Sequence, residues 1–139
     1  YALGGYATQD IDVVIAGRDK PDAVLRKLGF SKERGQRHWY SQDLDVAIEA
    51  PDDALASSLE RVAVVDVDDL QVQVIGIEDL TMDRLRGYAH PQSTSDGEWA
   101  GRLIALHEAS IDWEYLNCQA EKEGLLEALE SVNRACGSS

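Results

Sequence analysis

Apolar residues recur in short alternating runs along the first half of the chain and at helical spacing along the second, a pattern that predicts strands followed by helices. Ile11, Val13, Val14 and Ile15 mark a first strand able to anchor in a core, and Ala16-Gly17-Arg18-Asp19 marks the turn after it. Pro21 suits the first turn of a helix that carries Val24, Leu25 and Leu28 inward and stops at Gly29. His38-Trp39-Tyr40 and Leu44-Asp45-Val46-Ala47-Ile48 read as extended runs rich in strand formers. In the second run Leu44, Val46 and Ile48 share one face while Asp43, Asp45, Ala47 and Glu49 share the other, and Pro51 ends it. Ala54 to Leu59 reads as a short helix. Arg61 to Val67 and Leu70 to Ile75 alternate around Asp68-Asp69, which predicts a β-hairpin.

From Ile77 the period changes. Glu78 and Asp79 suit the positive end of a helix bearing Leu80, Met82, Leu85 and Tyr88, which should end between Gly87 and Pro91. Ser95-Asp96-Gly97-Glu98 fits a capping box that opens a helix with Trp99, Leu103, Ile104 and Leu106. A further helix starts near Asp112, carries Trp113, Leu116 and Ala120, and halts at Gly124; Leu125 to Val132 forms the last. The expected class is α+β, as a single domain over residues 1–139 with a sheet-forming part (1–76) and a helical part (77–136).

Length and charge narrow the function. A chain of 139 residues with 26 acids against 13 lysines and arginines carries a formal charge of −13, the wrong sign for gripping a polyanion, so nucleic acid is not the expected partner. Cys118 and Cys136 lack the spacing of a metal site and are expected to be free thiols in a reducing cytoplasm. No apolar run is long enough for a membrane span, and a soluble protein is expected. The chain begins at Tyr1, so further residues are expected upstream.

The candidate chemistry lies at the first strand. Alternation puts Asp10 and Asp12 on one face, about 7 Å apart along the backbone, where they can share divalent cations. Gly4 and Gly5 upstream leave room for a phosphate to approach the backbone. Asp43, Asp45 and Glu49 share one face of the later strand by parity. Arg84 and Arg86 are expected to pair with acids rather than phosphate, and Glu78 and Asp79 to cap their helix. His38, His90 and His107 are too scattered to form a ligand set, and Trp39, Trp99, Trp113 and Tyr115 are expected to pack.

Gly4-Gly5 before Asp10-Ile11-Asp12, with a later acid in Leu44-Asp45-Val46, resembles the minimal nucleotidyltransferase fold. The run Val74-Ile75-Gly76-Ile77-Glu78-Asp79-Leu80-Thr81-Met82-Asp83-Arg84-Leu85, then Asp96 and Ile111-Asp112-Trp113-Glu114-Tyr115-Leu116, resembles small prokaryotic nucleotidyltransferase-like proteins of the DUF6036 type, relatives of the AbiEii-like toxins. The resemblance implies a small mixed sheet with flanking helices, followed by C-terminal helices. It assigns Gly4 and Gly5 to the triphosphate turn and Asp10, Asp12 and Asp45 to binding Mg2+ or Mn2+ and to catalysis. Only Tyr6-Ala7-Thr8-Gln9 separate the glycines from Asp10, fewer residues than the family places there; the loop is either short or missing a mobile stretch between Ala7 and Thr8. The implied activity is transfer of a nucleotidyl group from a nucleoside triphosphate to an unidentified acceptor. The alternative is a catalytically inactive binding module of the same fold, acting as a regulatory or toxin–antitoxin-type protein partner.

Overall fold

A computed structural model describes residues 10–13, 21–33, 38–49, 61–89 and 93–136. Gly4, Gly5, Val14, Ile15, Pro51 and the short helix read over Ala54 to Leu59 lie outside the described residues. The protein is α+β, and the chain divides into two compact units, one within Gly4–Ala56 and the other within Ser57–Ser139.

The first unit is built on β1 (Asp10–Asp12), α1 (Pro21–Lys27), β2 (His38–Ser41) and β3 (Val46–Glu49). Its three strands run in the order β1-β3-β2, with β1 parallel and β2 antiparallel to β3. Leu25, Phe30 and Trp39 are buried together, with Val46 and Ile48 packed against them, so α1 covers the face of the sheet that carries Trp39, Val46 and Ile48. The end of α1 explains how Phe30 joins this core. Gly29 takes φ +86°, and the N–H groups of Gly29 and Phe30 donate to the carbonyls of Arg26 (3.2 Å) and Leu25 (2.9 Å), the paired bonds of a Schellman motif whose apolar contact joins the residues two beyond and three before the cap. Leu25 of the predicted inward set is buried; Val24 and Leu28 remain 54% and 62% exposed, because a seven-residue helix presents one short line of side chains to a three-stranded sheet. Ile11 is likewise 48% exposed, since β1 has a hydrogen-bonded neighbour on one side among the described strands.

The second unit opens with the hairpin β4 (Ala63–Val67) and β5 (Leu70–Val74), in register from Ala63↔Val74 to Val67↔Leu70. Asp68 takes the positive φ, 55°, that a two-residue hairpin requires at its first turn position. Four helices follow among the described residues: α2 (Ile77–Ala89), α3 (Thr94–His107), α4 (Trp113–Glu123) and α5 (Leu126–Cys136). Their core contains Met82, Leu85, Ala100, Ile104, Ile111, Leu116, Ala120, Leu125, Leu129 and Val132. The second helix stop repeats the first: Gly124 at φ +70° donates to Glu121 O, Leu125 donates to Ala120 O at 2.7 Å, and Leu125 drops into the core beside Ala120.

Two local expectations change. The cap of α3 is Ser93 rather than Ser95: its hydroxyl donates to the Asp96 carboxylate, which also accepts from Arg84 at 3.2 Å, so Asp96 closes the turn as an ion pair instead of a capping box. Leu106 is 44% exposed and lies off the buried line of Ala100, Leu103 and Ile104.

Candidate functional site

The register of the three-stranded sheet decides which polar residues are neighbours. Asp12 is the Cα partner of Glu49, and Glu49 is the partner of His38; one step along, Asp10 is paired with Ala47 and Ala47 with Tyr40. Paired residues point to the same side of a sheet. Asp10, Asp12, Glu49, His38 and Tyr40 therefore form one face, with the small Ala47 in the middle, and α1 packs on the reverse. Val13 N–H donates to Glu49 O at 2.8 Å, which carries the β1–β3 pairing just past Asp12.

Asp10 and Asp12 thus share a face as parity requires. Asp45 is placed differently from the expectation. β3 begins at Val46, and Asp45 sits in the preceding turn with φ +51°, so it is not a strand residue. A short polar side chain tolerates that left-handed backbone, which interrupts the extended run. The Tyr40 hydroxyl donates to Asp45 Oδ1 at 2.6 Å, and this bond to a carboxylate raises the Tyr40 pKa. Tyr40 lies on β2, the strand on the far side of β3 from β1. Glu49, one of the alternatives of equal parity, is the acid in register with Asp12, and its Oε1 lies 3.7 Å from His38 Nδ1.

Carboxylate oxygens are donors that suit Mg2+ or Mn2+. Among the described residues no three His, Cys, Asp or Glu side chains are already gathered to hold a metal ion. What the sheet supplies is adjacent backbone positions for Asp12 and Glu49, whose exposed or half-exposed side chains are open to solvent.

The second unit holds a polar network that sequence reading missed. Glu78 and Asp79 are only 8% and 7% exposed, and neither acts simply as a helix-end charge. Glu78 Oε1 accepts from the backbone N–H of Asp112 at 2.9 Å, and Asp79 Oδ1 accepts from the Tyr115 hydroxyl at 2.7 Å. Asp112 caps α4 through Tyr115 N–H and receives Arg61 Nη2 at 2.8 Å, while the Arg61 guanidinium lies 3.8 Å from the centre of the Tyr115 ring. The backbone bond from Tyr115 first, and Arg61 second, hold the Asp112 carboxyl below its ordinary range. The sequence signal was two pairs of polar residues, Glu78-Asp79 and Asp112 with Tyr115, each beside an apolar helix face. Their long-range pairing has no local signature.

Burial first, and then the bond to Asp79, push the Tyr115 phenol up to about 12. A folded-state pKa above the unfolded value of about 10 means that the unfolded chain loses this proton first as pH rises. Stability from this group is therefore complete below about pH 10 and lost progressively as pH climbs to about 12. Tyr115→Phe should remove that alkaline slope in denaturant titrations. At neutral pH the same change should destabilise by about 1–3 kcal/mol, because it takes away the donor to a buried carboxylate.

Arg84 pairs with Asp96, and Arg86 makes a two-pronged bond to Glu123 at 2.7 and 2.8 Å, so both arginines pair with acids as expected. No helix among the described residues is long and apolar enough to cross a membrane. Comparison of the chain with protein-family models, with characterised proteins and with solved structures finds no match.

Proposed function

We propose that the polar face of the β1-β3-β2 sheet is a divalent-cation-dependent nucleotidyl-transfer centre acting on a nucleoside triphosphate and an unidentified acceptor. The observation that carries this reading is the register: Asp12 and Glu49 are paired on the face that already bears Asp10, while the other face is packed by α1. The Gly4-Gly5 and Asp10-Ile11-Asp12 pattern of the sequence supports the same reading. Asp10 and Asp12 would hold Mg2+ or Mn2+, with Glu49 as third carboxylate in place of Asp45. A cation at these acids supplies charge neutralisation for the triphosphate and for the departing pyrophosphate. Glu49, which lies beside His38, would accept the proton of the acceptor hydroxyl, and Ala47 leaves the centre of the face open for substrate. Isothermal calorimetry with Mg2+, Mn2+ and each nucleoside triphosphate tests the proposal on the protein, Asp10→Asn and Glu49→Gln. Binding that is absent, or equal in all three, removes the catalytic reading.

A second reading, an inactive binding module with a protein partner, is favoured by one observation: the Asp45 carboxylate is engaged by Tyr40 rather than gathered with Asp10 and Asp12. Purification from the native host, showing a stoichiometric protein partner whose binding ignores nucleotide, would select it.

A further inference from the structure

The β4-β5 hairpin has one aliphatic face and a mixed reverse face, where Val64, 55% exposed, stands among Asp66, Gln71 and Gln73. Register pairs Val65 with Val72 and Val67 with Leu70, so all four aliphatic side chains project to the same side. They are 40%, 45%, 49% and 66% exposed in the order Val65, Val72, Val67, Leu70, which leaves that side open. On the reverse, Gln71 Nε2 donates to Asp66 Oδ1 at 3.0 Å, a polar pair that satisfies itself. A two-stranded sheet in water gains little from its own pairing, and a contiguous aliphatic face of this kind gains most from being covered.

Size and charge define the cover. Two strands about 4.8 Å apart, with their side chains, present a strip about 10 Å wide, and five residues per strand make it about 17 Å long; an α-helix of about 11 residues has the same width and length. Asp68 and Asp69 stand exposed at the tip of this strip, on a chain of formal charge −13. A second copy of the chain would bring another −13 and another pair of tip aspartates against the first, so like charges oppose self-association. We propose that the Val65, Val67, Leu70 and Val72 face docks an amphipathic helix of a partner protein whose apolar stripe is flanked by lysine or arginine, with the basic flank directed at Asp68 and Asp69. This interaction surface is independent of the nucleotidyl-transfer reading.

The test uses the full chain and a fluorescently labelled helical peptide of about 14 residues, with leucine at i, i+3, i+4 and i+7 and lysine elsewhere. A second peptide replaces every lysine with glutamate. In fluorescence anisotropy the lysine peptide should bind at least about ten-fold more tightly than the glutamate peptide. Val72→Asp should weaken it by about ten-fold or more although the variant is more negative, whereas pure charge attraction would tighten it. Gln73→Asp places the same charge on the reverse face and should leave affinity within about two-fold, which separates docking from loss of the hairpin. Equal affinity for the two peptides overturns the proposal, as does undiminished binding by Val72→Asp or an equal loss in both variants. A wild-type dimer in sedimentation that Val72→Asp dissolves also overturns it, in favour of a second copy.

Discussion

Replacing Asp12 with asparagine should weaken Mn2+ binding by at least about ten-fold, the lower end of what even outer-shell partners of a metal contribute. The substitution keeps the shape of the side chain and removes its charge, and it does so at the position in register with Glu49. Asp12 is exposed, so folding stability should change by no more than about 0.5 kcal/mol, and a thermal melt alongside the calorimetry verifies that the affinity change is local. The companion substitution Asp45→Asn is expected to change affinity by less than about two-fold, since asparagine tolerates φ +51° and Asp45 is already engaged by the Tyr40 hydroxyl. A ten-fold loss from Asp45→Asn with none from Asp12→Asn would reverse the assignment of the acids.

The largest stability effect should come from Leu116→Ala. Leu116 is completely buried in the core shared by α2, α4 and α5, beside residues such as Met82, Leu85 and Ala120. Removing three heavy atoms there should cost about 2–5 kcal/mol, from lost transfer free energy and from the void left behind. Against a total of about 5–15 kcal/mol for an ordinary domain this is a large fraction, visible as a lower denaturant midpoint. Val24→Ala removes two heavy atoms at a site 54% exposed and should shift the midpoint by no more than about 0.5 kcal/mol equivalent. Similar losses for the two would show that the helical core is not close-packed.

Much of the fold was legible because its signals are local. The hairpin about Asp68-Asp69, the stops at Gly29 and Gly124, the start of a helix near Asp112 and the periodicity of α2 each depend on residues within a turn or two of one another. The readings that changed depend on contacts farther away. Ser95 and Glu98 had the right spacing for a box, yet Asp96 is drawn to Arg84 on α2, and Ser93 becomes the cap. Val24 and Leu28 had the right spacing for a buried stripe, yet the sheet is too small to cover them. The hairpin belongs by compactness to the unit that contains the helices, not with the first sheet, a grouping that strand periodicity cannot predict.

The candidate site divides in the same way. Sequence by itself determined that Asp10 and Asp12 share a face, that Ala47 and Glu49 share another strand's polar face, and that the chain carries a formal charge of −13, because side-chain alternation and net charge need no partner to be known. Only the tertiary structure decided that Glu49 is the acid beside Asp12, that the Asp45 carboxylate accepts from the Tyr40 hydroxyl, and that Glu78, Asp79 and Tyr115 join a long-range polar network. Strand order, register and helix packing are properties of segments brought together by the fold, and free energy gained at that distance leaves no periodic trace in either segment alone.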